Sequence, residues 1–435
     1  MLHLDLNRER YAEPGKLDSV LNYIFRDWEA KYDVNVEDSN YAQRFANIIK
    51  TAHEKTGREV VILVDEYDKP LVGNLNKNEN FEHYREKLAS IYSNFKSSAE
   101  HIRLVLLTGV SRFSKLSVFS DLNNIIDITF DNDFADICGI TERELQEQLN
   151  DGVEKLARKD NVSYEATLRL LKKNYDGYRF AEVGSDIYNP WSLLNCLYQS
   201  KISNYWNYTG YPSIIVESLK RINADLRKAL DKYVSEEELQ GMDLLNPNPT
   251  ALMYQTGYLT IKGYNKKIRR YRLGIPNEEV KKGFFDMLVP LYVTTKRRDA
   301  KGLVDDIVMY FILGQADEAM QSMQTYFAGV DYGLKMDNEN NFHNAFFLLT
   351  NLIGLDTEAE VHTSDGRIDI VIKTEDYIYI IELKYDHSAD DALRQIEEKQ
   401  YDLPYQTDGR QIIKIGVSFS SKTRCIEDWK IKPSK

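Results

Sequence analysis

The chain is 435 residues long, 43% hydrophobic and 29% charged, with 56 Lys and Arg against 68 Asp and Glu for a formal net charge of -12. At roughly 150 residues per domain that length predicts about three domains, and the composition excludes a disordered, fibrous or membrane-embedded chain. The acidic balance argues against a surface coated in basic residues for sequence-independent nucleic-acid binding, while leaving room for a local basic groove.

The longest apolar runs, VVILV at 60–64 and IRLVLLTGV at 102–110, are strand-sized and far short of the ~20 residues that cross a bilayer. The N-terminus, MLHLDLNRERY, lacks the basic, apolar and small-residue order of a secretory signal, so a cytoplasmic address is expected. Cys138, Cys196 and Cys425 are too dispersed for a disulfide framework or a CxxC zinc site and are expected as buried thiols in a reducing compartment. The 29 tyrosines are scattered, as core and rim positions are.

In chain order, LHLDL at 2–6 predicts a short strand, 17–31 a helix with Leu17, Val20, Leu21, Ile24 and Trp28 on one face, and 40–55 a second helix ending at Gly57. EVVILVDE and IRLVLLTG predict strands buried on both faces of a parallel sheet, with a helix over 81–99 between them. From 141 the pattern becomes helical. Thr141 with Glu144 forms a capping box, YEATLRLLKKNYDGYRF continues it, and Asn189-Pro190 starts another helix. A helix at 249–256, a strand GYLTIKGY, a turn at Asn265, a strand IRRYRLG and a helix after Pro276 outline a winged-helix module. Helical stretches at 303–328 and 338–353 lead to RIDIVIKTED, YIYIIELKY, a helix over 388–401 and KIGVSFS, a second mixed α/β unit.

Two strand ends carry chemistry. VVILVDEYDKP ends a strand with Asp65 and Glu66. In P-loop nucleotidases an acid placed there holds Mg²⁺ and a following Glu can polarise water, although carboxylates also commonly stop strands at the solvent edge. The partner motif G-x-x-x-x-G-K-[ST] does not occur, since Gly15-Lys16 lacks the earlier glycine and the following hydroxyl. Beyond the next strand, Thr108 stands where a γ-phosphate sensor would, and Arg112 or Lys115 could meet phosphate; a plain cationic loop is the alternative.

The second strand end is GRIDIVIKTEDYIYIIELK, in which Asp369 precedes Glu382-Leu383-Lys384 on a predicted hairpin. Mg²⁺-dependent nucleases use two carboxylates on adjacent strands to hold the metal, and a nearby Lys to serve the water. Glu382 and Lys384, two apart on a strand, share a face. E-x-K recurs at Glu29, Glu279 and Glu397, but there without a preceding strand that bears an Asp. Gln395 and Tyr401 could complete the pocket and Glu339 add a further acid; a salt bridge at a hairpin end is the simpler reading. A third feature, KKIRRYR at 266–272, could grip phosphates from a wing or form a solvated hairpin.

Taken together, LVDEYDKP, LTGVSRFSKLSVFSDLNN, ICGITERELQ, YDGYRF, YNPWSLLN, YWNYTGYP, YQTGYLTIKGY, YRLGIPNEEV, TSDGRIDIVI, YIYIIELKYD and ALRQIEEKQY resemble, in order and over nearly the whole chain, a bacterial family that joins an AAA-ATPase-like module to a C-terminal PD-(D/E)xK nuclease-superfamily domain. The resemblance implies that Asp65 and Glu66 match Walker B acids, and that Asp369, Glu382 and Lys384 match the nuclease motif, with Gln395 following. Family members carry their phosphate-binding loop before the strand that is LHLDL here. The chain is therefore expected to begin inside the ATPase domain, through truncation, a misplaced start or a loop supplied by a separate chain.

The expected fold is a multidomain α/β chain: a truncated P-loop ATPase-like parallel sheet over 1–140, a helical lid region over 141–244, a winged-helix-like module over 245–300, and a helical lead-in with a PD-(D/E)xK mixed α/β domain over 301–435. The expected function is Mg²⁺-dependent DNA hydrolysis, with Mn²⁺ as a substitute and RNA left open, in a defence or mobile-element setting. Asp369, Glu382 and Asp65 are the expected metal-side acids. Asp65, Glu66, Thr108 and Arg112 are the nucleotide-side candidates, and ATP serves only if a Walker A segment is supplied. A homo-oligomer or a partner bearing that segment is expected, and no membrane. The alternative is a non-catalytic nucleotide-binding or interaction protein retaining both folds.

Overall fold

The computed structural model describes residues 1–35, 40–72, 74, 78–109, 124–206, 232–240, 248–292, 297–328, 346, 349, 355–363 and 366–434. Arg112, Lys115, Glu339 and most of the helix expected at 338–353 lie outside the described residues. Two compact units emerge: residues 1–137 with 180–184 and 233–272, and residues 138–179 with 185–232 and 273–435.

The first unit is built on three parallel strands, β1 (Leu2–Asp5), β2 (Val60–Asp65) and β3 (Ile102–Leu107), in the order β1-β2-β3. Parallel neighbours need crossovers. Helices α1 (Lys16–Tyr32) and α2 (Tyr41–Thr56) connect β1 to β2, and α3 (Asn78–Tyr92) connects β2 toward β3. Leu17, Leu21, Ile24 and Phe25 of α1 are buried, as are Phe45, Ile48 and Ile49 of α2. Arg44 locks the two helices together, giving Glu29 a bidentate pair at 2.6 and 2.9 Å.

The expectation of a sheet buried on both faces is corrected here. Along β2, Val60, Ile62 and Val64 are buried while Val61 and Leu63 are only half-buried, and on β3 Leu104 and Leu106 are 53% and 38% exposed. The described helices cover one face well and leave the other accessible. A continuous apolar run cannot by itself distinguish these cases. The helix expected over 81–99 is also divided, into α3, a short helix Asn94–Ser97 and a 3₁₀ turn. Farther along, β4 (Tyr233–Val234), β5 (Thr260–Asn265) and β6 (Arg270–Gly274) form a small sheet in the order β4-β6-β5, with a helix Pro249–Gln255 before the hairpin.

In the second unit, the helices Glu142–Gln148, Asn150–Asp160, Tyr164–Tyr175 and Pro190–Gln199 pack Leu145, Val153, Leu171, Leu193 and Cys196 together. The capping box between Thr141 and Glu144 is formed, and Asn189 caps the helix that Pro190 begins. Cys196 is buried, whereas Cys425 is half-buried and Cys138 exposed, so the expectation of three buried thiols holds for one. The 303–328 stretch resolves into α4 (Arg297–Ile312) and α5 (Ala316–Ala328), broken at Gly314, whose φ of 76° suits glycine.

These helices cover one face of a five-stranded mixed sheet: β7 (Asp356–Thr363), β8 (Gly366–Lys373), β9 (Tyr377–Tyr385), β10 (Gln411–Ser420) and β11 (Cys425–Pro433), in the order β11-β10-β9-β8-β7. Phe311, Met320 and Phe327 pack on Tyr379, Ile381 and Phe419. On the opposite face, Ile396 of α6 (Ala389–Glu398) meets Ile378, Ile380 and Tyr401. The β9–β10 pair is parallel, with α6 as its crossover, and the others are antiparallel. No helix among the described residues is long and apolar enough to cross a membrane.

Candidate metal-and-acid site at two strand ends

The β8–β9 hairpin predicted from the apolar period is formed, with Ile370 opposite Ile381 and Val371 opposite Ile380. Because side chains alternate, the face that carries Ile378 and Ile380 toward α6 continues into Glu382 and Lys384. At Asp369 a side-chain bond joins the strands, as the Leu383 amide donates to Asp369 Oδ2 at 2.9 Å. Asp369 is 8% exposed and Glu382 2%.

Helix α6 brings the fourth residue. Gln395 donates from Nε2 to Glu382 Oε1 and accepts at Oε1 from Lys384 Nζ at 2.7 Å. Lys384 Nζ also donates to Glu382 Oε1 at 3.1 Å. The Tyr401 hydroxyl accepts from Gln395 Nε2 at 3.3 Å. The structure thus gathers Asp369, Glu382, Lys384 and Gln395, with Tyr401 behind them.

Sequence reasoning missed Gly416. It pairs with Glu382 across β9 and β10, directly beneath α6. A Cβ at this position would overlap the Ala389 carbonyl oxygen and stand 2.8 Å from the Leu393 amide nitrogen. Only glycine lets α6 approach closely enough for Gln395 to reach both Glu382 and Lys384. The available signal was a glycine inside the apolar strand KIGVSFS, which marks a close approach of backbone.

The electrostatics leave a cation-shaped demand. Burial and the nearby Asp369 carboxylate together push Glu382 up to about 7, against the opposing pull of the Lys384 ammonium. Glu382 Oε2 is buried with no hydrogen-bond partner, a costly state for a carboxylate oxygen. Two neighbouring carboxylates, one with an orphaned oxygen, fit a hard divalent cation that accepts oxygen ligands. Among the described residues no group of three or more His, Cys, Asp or Glu side chains is disposed to hold a metal, so solvent or substrate oxygens would have to complete the shell.

At the carboxyl edge of the first unit's sheet, Thr108 Oγ1 donates to Asp65 Oδ1 at 2.6 Å, and the Thr108 amide continues the ladder to the Val64 carbonyl at 2.9 Å. Both residues are exposed. Glu66 takes a left-handed φ of 56°, uncommon for a residue with a side chain. Its Oε2 is buried and unpartnered, and burial together with the Asp68 carboxylate raises its pKa. Gly109 makes room for this turn, since a Cβ there would lie 2.6 Å from Asp68 Oδ1 and 2.7 Å from the Tyr67 ring. Asp65, Glu66 and Thr108 are thereby brought to one edge; Arg112 lies outside the described residues.

Comparison with known proteins agrees with this division. Residues 1–119 match the family model described as predicted AAA-ATPase, and residues 337–429 match that of the PD-(D/E)XK nuclease superfamily. The chain is 32% identical over 398 residues to a protein of Azotobacter chroococcum mcd 1 named "Uncharacterized protein in vnfD 5'region", an alignment covering 88% of this chain and 73% of that relative. No solved structure matches.

Proposed function

The chain belongs to a family that joins a predicted AAA-ATPase module to a PD-(D/E)XK nuclease-superfamily domain, and on that premise we propose that it is a Mg²⁺-dependent phosphodiesterase that cleaves DNA. The observation that carries this reading is the hydrogen-bonded cluster of Glu382, Lys384 and Gln395 beside Asp369, with Glu382 Oε2 left unpartnered.

Asp369 and Glu382 would hold the cation, which when bound supplies charge neutralisation at the scissile phosphate. Lys384 would orient the attacking water and steady the negative charge that develops on phosphate oxygens. Gln395 acts through its neighbours, fixing the Lys384 ammonium against Glu382. Mn²⁺ would serve in place of Mg²⁺, because both accept carboxylate and water oxygens.

We assign the first module a regulatory, nucleotide-sensing role through Asp65, Glu66 and Thr108, with Asp65 as the acid for a nucleotide-bound Mg²⁺. Binding of ATP phosphates would require a G-x-x-x-x-G-K-[ST] segment from outside residues 1–435. A cytoplasmic, defence or mobile-element setting fits this pairing. The domain bounds proposed are 1–140, 141–244, a winged-helix-like 245–300 and 301–435.

The test is cleavage of single- and double-stranded DNA, and of RNA, by the chain and by Lys384→Ala, with Mg²⁺ and Mn²⁺ in parallel. Cleavage of DNA by the parent and its loss in the variant are expected. No metal-dependent cleavage by the parent, with nucleotide or partner binding retained, would select the reading of a non-catalytic interaction protein.

A further inference from the structure

The first unit carries a feature that the strand-end acids do not use. Between Gly257 and Asn277 the chain contains Lys262, Lys266, Lys267, Arg269, Arg270 and Arg272 and no acidic residue, in a protein whose net charge is -12. These cations decorate the β5–β6 hairpin. The hairpin stands on an aromatic base: Tyr271 packs on Tyr264 with centroids 4.8 Å apart and stacks on Phe130 at 5.8 Å, and Phe130 stacks in turn on Tyr254 at 5.8 Å. Tyr271 is 6% exposed.

The tip is held in one shape. Asn265 Oδ1 accepts from the amides of Lys267 at 3.1 Å and Ile268 at 3.4 Å, and Arg269 closes the turn with a φ of 50°. Lys266 and Arg270 are engaged at the flanks, with Glu182 at 3.3 Å and Glu238 at 3.1 Å. Among the described residues Lys267 and Arg269 make no ion pair, and both are exposed. Between them Ile268 is 54% exposed. The tip thus presents one apolar side chain to solvent between two exposed cations.

We infer that the tip Lys267-Ile268-Arg269 is a duplex-DNA contact that enters the minor groove. Arg269 and Lys267 meet the negative potential of the groove and its flanking phosphates, and Ile268 provides the apolar contact with the sugars and base edges. Cations paired with an apolar wedge are the chemistry of minor-groove binding. An A-form RNA duplex presents a wide, shallow minor groove with hydroxyls instead, which does not match a single narrow apolar projection. The role of the contact, holding substrate for cleavage, rests on the nuclease reading, whereas the contact itself does not.

The experiment therefore separates the two. Binding is measured on the full chain in EDTA, where cleavage is silent, by fluorescence anisotropy of a short labelled DNA duplex over a range of salt. The same measurement is made on single-stranded DNA and an RNA duplex of the same sequence. Lys267→Ala/Arg269→Ala is expected to weaken duplex-DNA binding at least ~10-fold and to reduce the slope of log affinity against log salt by about 2, one unit per lost cation. Ile268→Ser is expected to weaken duplex-DNA binding roughly 3- to 10-fold and to leave single-strand binding unchanged. These positions are exposed, and unchanged melting curves verify that the variants fold. Absence of duplex binding by the parent, equal affinity for the RNA duplex, or tip variants that bind like the parent would each overturn the inference. Tip-dependent binding without metal-dependent cleavage would leave it standing while removing the nuclease reading.

Discussion

Two strand ends in this molecule carry acids of similar sequence character, and their surroundings differ. At the end of β9, Glu382 is 2% exposed, roofed by α6 and tied to Lys384 and Gln395. At the end of β2, Asp65 is exposed and bonded to the equally exposed Thr108, on a sheet whose other face shows Leu104 and Leu106 to solvent. A buried, cross-linked acid is held in a fixed geometry in a medium of low effective dielectric, where a cation or a developing charge is felt strongly. An exposed acid is screened. The comparison supports the proposal of preorganised chemistry at the C-terminal strand end and of a contact or sensing role at the N-terminal one.

The strongest way to break that comparison is to remove the cation of the buried cluster. Lys384→Ala is expected to lower metal-dependent cleavage by roughly 10²- to 10⁴-fold, the range of a positioned proton-transfer or charge-stabilising group. Initial rates on a DNA substrate measure it, and a variant that cleaves at the parent rate would return Lys384 to a salt bridge at a hairpin end. Next in size is Gly416→Ala. Forcing a methyl group against the Ala389 carbonyl should push α6 outward, destabilise the unit by about 1 to 3 kcal/mol, and reduce cleavage by about 100-fold through displacement of Gln395. Thermal melting and cleavage rates read the two effects separately, and a variant with parent-like cleavage would show that the roof is not needed.

How much of this was legible in the sequence depends on whether a signal was local. Asp369, Glu382 and Lys384 could be found because a hairpin's apolar period fixes facing, and Thr141-Glu144 because a capping box lies within one turn. Gly416 could not be assigned a partner from sequence, since its meaning depends on a helix whose approach is set by tertiary packing. The exposure of Leu104 and Leu106 was hidden for a related reason. IRLVLLTG reads alike whether one face or two are covered, and coverage is decided by elements distant in the chain. The role of Asn265 in shaping the basic tip was visible only as a turn residue, not as the acceptor that fixes Ile268.

A third prediction probes the charge on Glu382. Burial and Asp369 raise its pKa to about 7, so in the metal-free protein its contribution favours folding below the unfolded value near 4.5 and is lost as pH rises toward 7. Glu382→Gln should therefore stabilise the metal-free chain at pH 8, on the order of 3 kcal/mol from a shift of this size, and the gain should vanish by pH 4. Mg²⁺ should raise the melting temperature of the parent and not of the variant. Parallel pH curves for the two proteins would show that the buried charge carries no such penalty.

The smallest effect is expected at the exposed strand end. Thr108→Val removes the bond to Asp65 Oδ1 and leaves the backbone ladder to Val64 intact. Both partners face solvent, so water replaces the lost contact and the stability change should stay within about 1 kcal/mol. Cleavage by the chain alone should be unchanged if the N-terminal edge senses and the C-terminal edge cuts. A drop in cleavage as large as that of Lys384→Ala, with an unchanged melting temperature, would mean instead that the Asp65–Thr108 edge takes part in the reaction, and that burial is the wrong criterion for telling the two strand ends apart.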